Sequence, residues 1–440
     1  MKRARTGASD ADDVALETFA AWCRERGVRV NEDAIEIRAL ETTGGGRKHY
    51  AVFARRDVRA DETVFEIPKS CVLSAVNSRA VGEAVVRARL GGGLALNATA
   101  ACELLGRGRA GSFWAGYGAI LPLEGERTLP MFWSEEERRA LGGTELAAHL
   151  DEDDAAFAED FEECATSLGK ELCEEMGFTL ETFKAAASIA ASRAFYLGGK
   201  YGECLVPCAD LFNHRTGTNS VAVFGVEDSD DENCDDDDDD GDKDDTLVIK
   251  TVVNVKAGEE LFNTFGEQSN TSLLHKYGFC ETHNVDTAVV TLDVSLFVDV
   301  YGEKIMQAVY DSIKKTVKKA PFLEFFEDDK YYEVTSNEGI EAEFFDVARA
   351  VAKTGLLTRV ISAASEIDAV KSITKSIILA RLKRYGDLSD LDADLHEDNA
   401  SGSDQPPAGG GVIGARAARL VRKQEIDLLL MAYSQCGEKK

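Results

Sequence analysis

The order of elements along this 440-residue chain predicts an α+β fold. Short strands come first, a long helical stretch interrupts them, strands return, and helices close the chain. That order fits neither a doubly wound sheet nor a barrel, both of which alternate strand and helix. The length suits two or three domains and a sizeable core. The expectation is a small β-rich domain carrying a helical insertion, followed by a helical domain.

The elements follow from local pattern. Residues 14–26 read as an amphipathic helix with Leu16, Phe19, Ala20 and Cys23 on one face. Alternating and β-branched runs predict strands at 35–38, 50–54 and 63–68, with turns at Gly44-Gly45-Gly46 and Asp61-Glu62. From 78 to 196 the pattern is mostly helical, including 98–105, an acid-rich helix at 134–141, 153–176 and 180–195. Strand character returns at 205–207, 220–224, 246–253 and 260–262, before a helical run that ends at Tyr277-Gly278-Phe279. A strand-like piece at 287–298 leads into helices at 301–318, 339–352, 365–385 and 413–435. Residues 387–411 are rich in Asp, Ser, Gly and Pro without an apolar period and read as a flexible loop.

Composition narrows the chemistry. The net charge is -29, and residues 227–245 hold fourteen acids and one lysine. The run Asp235 to Asp240 repels itself and has nothing to bury, so 227–245 is expected to be a disordered insertion. It lacks the alternation and closing Glu of a calcium loop. An acidic chain is a poor nucleic-acid binder, since phosphate neutralisation needs Lys and Arg, and it suits a basic protein or peptide. No apolar run is long enough to cross a bilayer, and the basic start, Lys2-Arg3-Ala4-Arg5, meets acids rather than a signal-peptide core. The ten cysteines contain no Cys-x-x-Cys and the six histidines no His-Glu-x-x-His, so no metal site is expected and the thiols read as reduced.

Five motifs then occur in order. Val52-Phe53-Ala54-Arg55-Arg56-Asp57-Val58 precedes Phe65-Glu66-Ile67-Pro68. Phe113-Trp114 with Tyr117 and Leu121-Pro122 precedes Phe132-Trp133-Ser134-Glu135-Glu136-Glu137. Ser192-Arg193-Ala194-Phe195, Pro207 to His214 and Gly258 to Phe279 complete the set. Over about residues 14–285 this series resembles the SET-domain protein methyltransferases of the Rubisco large-subunit methyltransferase group. The Phe-Asn-Thr-x-Gly wording is nearest to the branch containing SET-domain-containing protein 6 and the yeast ribosomal-protein lysine methyltransferases.

The resemblance implies a β-rich SET domain with a pseudoknot over 14–285, a helical insert at about 76–196, and a helical substrate-binding domain over 286–440. It implies S-adenosylmethionine as cofactor, held by Lys48, Tyr50, Arg193, Asp210, Asn213, His214, Tyr277 and Phe279. A protein substrate presenting a basic segment, a monomeric state and a cytoplasmic or nuclear location follow, with the chloroplast left open. The chemistry is consistent with these residue types. Presenting a neutral lysine amine at pH 7 costs roughly 4.6 kcal/mol, and alignment offsets up to ~7–11 kcal/mol. An aromatic channel of Phe265, Tyr277 and Phe279 would desolvate the amine and lower its pKa.

Phe265 departs from the group, which has a tyrosine there. The ring is kept and the oxygen lost, a change worth ~10²–10⁴-fold in rate if that oxygen orients the amine. Tyr196, Tyr201 and Tyr277 are the candidate replacements. Two alternatives to lysine methylation stay open: a catalytically weak binding protein, and transfer to histidine.

Overall fold

The structure, a computed structural model, describes residues 10–40, 49–226, 245–284, 287–316, 326, 330–357, 365–386 and 413–436. Residues 227–244, most of the acidic insertion, and the loop expected at 387–411 lie outside them. Among the described residues no helix is long and apolar enough to cross a membrane.

Two four-stranded sheets frame the first part of the chain. One has the order β1 (Arg29–Val30), β4 (Thr63–Pro68), β9 (Thr246–Thr251), β8 (Val221–Phe224). The other has the order β2 (Ile35–Leu40), β3 (His49–Ala54), β10 (Glu260–Asn263), β7 (Asn213–His214). All pairings are antiparallel except β10 with β7, where Phe262 faces Asn213 and Asn263 faces His214. That parallel pairing joins two distant motifs at one sheet edge. A short hairpin of β5 (Ala194–Tyr196) and β6 (Glu203–Leu205) follows the insert. The first helix, Asp10–Glu25, buries Ala15, Phe19, Trp22 and Cys23, a phase that includes a tryptophan the predicted face omitted.

The insert is helical as expected, with breaks. The predicted helix at 153–176 is two, Glu145–Leu168 and Lys170–Met176, parted at Gly169 with φ +85°. The acid-rich helix is one turn, Glu135–Arg138, started by a reciprocal cap between Ser134 and Glu137. Strands and insert share one apolar core containing Phe19, Trp22, Phe65, Trp114, Tyr117 and Phe183.

The tail holds more strand than the one strand-like piece expected at 287–298, and Gly339–Ile340, expected to start a helix, is a strand. The strand-like run at 287–298 becomes β11 (Val289–Asp293) and then the helix Val294–Tyr301. Asp293 is the reason: its carboxylate accepts the N–H groups of Ser295 and Leu296 and starts a helix within an apolar run. β12 (Tyr331–Thr335) and β13 (Gly339–Ile340) extend β11 into a three-stranded antiparallel sheet. Helices Glu303–Thr316, Ala342–Lys353 and Glu366–Lys383 and the closing helix Gly414–Gln435 complete the tail. A second core, with Phe297, Phe344, Ile377 and Leu429, lies there. A third cluster joins insert, site and tail: Trp133, Leu146 and Leu150 meet Leu274, Cys280, Ala417 and Val421.

Candidate active site

Three aromatic rings stack at the end of the β7–β10 edge. Phe265 lies between His214, with ring centroids 4.9 Å apart, and Tyr277, at 4.5 Å. Both pairs are close to parallel, at 16° and 23°. Phe279 leans on Tyr277 at 6.4 Å. All but His214 are partly open to solvent. The rings come from three segments: the strand β7, the loop after β10, and the helix Asn270–Tyr277 with the turn that ends it.

Local chemistry fixes each ring. The Phe265 N–H donates to His214 Nδ1 at 3.0 Å, which in the neutral ring leaves the proton on Nε2, 3.3 Å from Thr216 Oγ1. Burial pushes the His214 pKa down and favours that neutral form. The helix carrying Tyr277 is capped by Ser269, which accepts the Ser272 N–H. It stops at Gly278, φ +79°, where a Cβ would come within 2.2 Å of Thr128 Oγ1. Only glycine meets both conditions, and the turn brings Phe279 back against Tyr277. Burial raises the Tyr277 pKa, so its hydroxyl keeps its proton.

Asn213 and Tyr50 belong to the same place. Asn213 Nδ2 donates to Glu260 Oε1 at 2.6 Å and lies 3.4 Å from the Tyr50 carbonyl oxygen. Its amide oxygen has no donor among the described residues. The Tyr50 hydroxyl is buried without a hydrogen-bond partner among the described residues, and burial, with a contribution from Asp12, pushes its pKa up to about 12.

Arg193 and Asp210 form a second network. Arg193 Nη2 donates to Glu126 Oε1 at 2.7 Å, and Nη1 donates to the Asp210 carbonyl at 3.2 Å with the Asp210 carboxylate at 3.8 Å. The Tyr117 hydroxyl donates to Asp210 Oδ2 at 2.7 Å. Burial raises the Asp210 pKa even against the nearby guanidinium. The chain reaches Asp210 through Cys208 at φ +74°, a conformation a residue with a side chain seldom takes, and then a 3₁₀ turn, Ala209–Leu211, which delivers Asn213 into β7. Arg193 is thus engaged by two protein carboxylates.

The structure therefore brings Tyr50, Asn213, His214, Phe265, Tyr277 and Phe279 together and sets Arg193 and Asp210 in a buried network of their own. Lys48 lies outside the described residues. Among the tyrosines considered as replacements for the missing hydroxyl, Tyr196 is exposed on β5, Tyr201 donates to Asp245 at 3.3 Å, and Tyr277 is in the stack. Glu126 and Glu260 were not singled out from sequence. Glu260 stands within the Gly-Glu-Glu-Leu-Phe motif and was visible there, whereas nothing around Glu126 marks a partner 67 positions away. Among the described residues no group of three or more His, Cys, Asp or Glu side chains is placed to hold a metal ion.

The chain is similar to known proteins in sequence and in fold. A SET-domain family model matches residues 49–266. The N-lysine methyltransferase setd6 of Xenopus tropicalis is 27% identical over 292 residues, which cover 62% of this chain and 58% of that protein. The chloroplastic Rubisco large-subunit N-methyltransferase of Nicotiana tabacum is 26% identical over 306 residues, covering 68% and 58%. The chain thus spans under two thirds of the length of these curated relatives. Among solved structures, the SET domain of LSMT bound to lysine and AdoHcy superposes with a TM-score of 0.66 at 20% identity, covering 97% of this chain and 91% of that one. Rubisco LSMT bound to AdoMet gives 0.64 at 21%, covering 96% and 91%. The chain thus resembles the SET-domain proteins over residues 49–266 and has the fold of the LSMT structures along nearly its whole length.

Proposed function

We propose that the protein is an S-adenosylmethionine-dependent protein-lysine N-methyltransferase. The observation that carries the reading is the His214–Phe265–Tyr277 stack beside Asn213 and Tyr50. The residues fit the cofactor on the chain's own terms. The Asn213 amide oxygen is a polar group left for a bound molecule, and the rings of Tyr277 and Phe279 offer apolar faces for a base. When bound, the cofactor supplies a methyl group on a positively charged sulfur.

The chain's part is to bind, align and desolvate. Asn213, His214 and Tyr50, with Lys48, hold the cofactor. Arg193 and Asp210 support it from behind by fixing the turn that delivers Asn213. Phe265 and Tyr277 wall the path of the amine, and their apolar faces disfavour its charged form. Tyr277 is the hydroxyl that orients the amine in place of the oxygen Phe265 lacks. A basic segment of a protein is the substrate class that a chain of net charge -29 favours. The named relatives, N-lysine methyltransferases and a Rubisco methyltransferase, support the same reading, as do the solved structures of LSMT bound to lysine and AdoHcy and of Rubisco LSMT bound to AdoMet. A monomer in the cytoplasm or nucleus, with the chloroplast open, completes it.

The test incubates wild-type protein, Phe265→Tyr and Tyr277→Phe with methyl-labelled cofactor and a protein extract. Wild type labels a protein, the product hydrolyses to methyl-lysine, and Tyr277→Phe loses ~10²–10⁴-fold in turnover while still binding cofactor. Cofactor binding with no labelled protein from any variant would sink the reading. Label with Phe265→Tyr alone would make the natural chain a binding protein, and methyl-histidine would move the target.

A further inference from the structure

The helix that carries Tyr277 is held at its start by the tail. Asn270, its first residue, is buried, and its side chain is fully engaged. Asn270 Oδ1 accepts the Glu281 N–H at 2.7 Å, and Nδ2 donates to the Glu281 carbonyl at 2.9 Å and to Gln424 Oε1 at 2.9 Å. Gln424 in turn donates to the Asn284 carbonyl at 3.0 Å. Thr271, the second residue, donates to Glu425 Oε1 at 3.3 Å. Gln424 and Glu425 are neighbours on the closing helix Gly414–Gln435, more than 150 positions away.

Glu425 is itself anchored. Its Oε2 accepts the Tyr385 hydroxyl at 2.6 Å and the Glu145 N–H at 3.3 Å. Arg381 lies 3.9 Å from it, donates to Glu145 at 2.8 Å and to the Gly143 carbonyl at 2.7 Å. Glu145 also accepts both the N–H and the hydroxyl of Thr291, at 2.9 and 2.8 Å. Insert, site helix and tail therefore meet at one buried polar junction. Ala417 and Val421, lower on the same helix, pack beside Leu274 and Cys280.

We infer that Gln424 and Glu425 are positioning residues for the ring stack. They fix the first turn of a helix only eight residues long, and a rigid helix transmits that placement to Tyr277 at its other end. The loop before it, which carries Phe265, ends at the same point. A tail that grips substrate would then also set the distance between Phe265, Tyr277 and His214. The consequence for rate rests on the methyl-transfer reading, and the geometric consequence does not.

The experiment uses the full chain with histidine ring carbons labelled, and follows the His214 resonance by NMR, since that ring lies under Phe265 and reports its place. The variants are Thr271→Val, Gln424→Ala, Glu425→Ala and the shape-conserving Glu425→Gln. Thr271→Val, Gln424→Ala and Glu425→Ala move or broaden the His214 signal while the exposed His149 stays still, and Glu425→Gln restores much of the native position. In turnover the same three lose about 10-fold or more in kcat with cofactor affinity changed less than about 2-fold, because small misplacements cost rate more than binding. Folded Thr271→Val and Gln424→Ala proteins with an unmoved His214 signal would overturn the inference. These two leave Arg381 its carboxylates, so they carry the test if Glu425→Ala does not fold. A wild-type protein without activity would remove the methyl-transfer reading alone, since the NMR comparison is read without turnover.

Discussion

Arg193 and Arg381 each sit between two carboxylates with a tyrosine hydroxyl alongside, yet the two networks hold different things. Around Arg193, Glu126, Asp210 and Tyr117 tie the insert to the turn before β7. That network is left incomplete: Asp210 Oδ1 and Arg193 Nε are buried without a partner among the described residues. Around Arg381, Glu145, Glu425 and Tyr385 tie the insert to the tail, and backbone groups of Gly143, Glu145 and Thr291 complete the set. The contrast teaches that a buried ion pair beside a site need not be saturated, whereas the one that ties the insert to the tail is, among the described residues. Unsatisfied buried groups cost stability, so they persist where a site needs them.

Removing either arginine gives the largest expected effect. Arg193→Ala strands the buried Glu126 and Asp210, a loss of about 3–5 kcal/mol, and Arg381→Ala takes the partner from the partly exposed Glu145 and the buried Glu425, a smaller loss. The comparison predicts different unfolding curves. Arg193→Ala lowers a single transition in urea, because its partners lie within one core. Arg381→Ala separates tail from SET domain and produces two transitions, followed by intrinsic fluorescence and circular dichroism. Coincident single transitions for both variants would erase the distinction between a network inside one core and a network between cores.

Acidity separates the networks next. Burial pushes the Glu425 pKa from 4.5 up to about 8, against the pull of Arg381 and the Tyr385 hydroxyl and with the help of Glu145. The folded junction thus keeps a proton that the unfolded chain releases. That contribution is fully present below about pH 4.5 and is lost as the pH rises through about 8. Asp210 is raised in the same direction by its own burial. His214 runs the other way: its lowered pKa contributes above its unfolded value of 6.5 and is lost as the pH falls through the folded one. Urea midpoints at about pH 6 and about pH 9 should therefore fall for wild type and change less for Glu425→Gln. An equal fall in both would assign the alkaline loss elsewhere.

What the sequence made legible follows the same division. The stack was readable because its residues sit in fixed words: Asn213-His214 after Pro207, and Phe265, Tyr277 and Phe279 within twenty-two consecutive positions. Their geometry is local, set by one strand pairing, one cap and one glycine. The junction was not readable. Arg381 and Glu145 lie 236 positions apart, and a lone Arg or Glu in a helical pattern reads as solvated surface. Arg193 was legible as a residue and not as a partner, since nothing in the chain announces Glu126. In the tail sheet β13 is only two residues long and merges with the apolar pattern of the helix after it, and β11 is shorter than its apolar run because Asp293 within it starts a helix.

Asp293 supplies the smallest and most local test of the division. Its Oδ1 accepts the Ser295 N–H at 2.7 Å and the Leu296 N–H at 3.3 Å, and its Oδ2 lies 3.4 Å from Arg384, which also meets Asp299 at 3.0 Å. Replacement by alanine removes the cap, worth about 0.5–2 kcal/mol, and a partly exposed ion pair worth about 0.2–1 kcal/mol. Asp293→Asn keeps an accepting oxygen and should recover most of the cap while losing the pair. The two variants therefore partition the effect by differences in urea midpoint. β11 ends at Asp293 and carries, two positions before it, Thr291, which is bonded to Glu145. If the junction is as cooperative as its saturation implies, fraying at Asp293 reaches Thr291, and the alanine variant loses more than cap and pair together. A loss no larger than their sum confines the effect to the tail and marks β11 as a strand that the junction holds without being held by it.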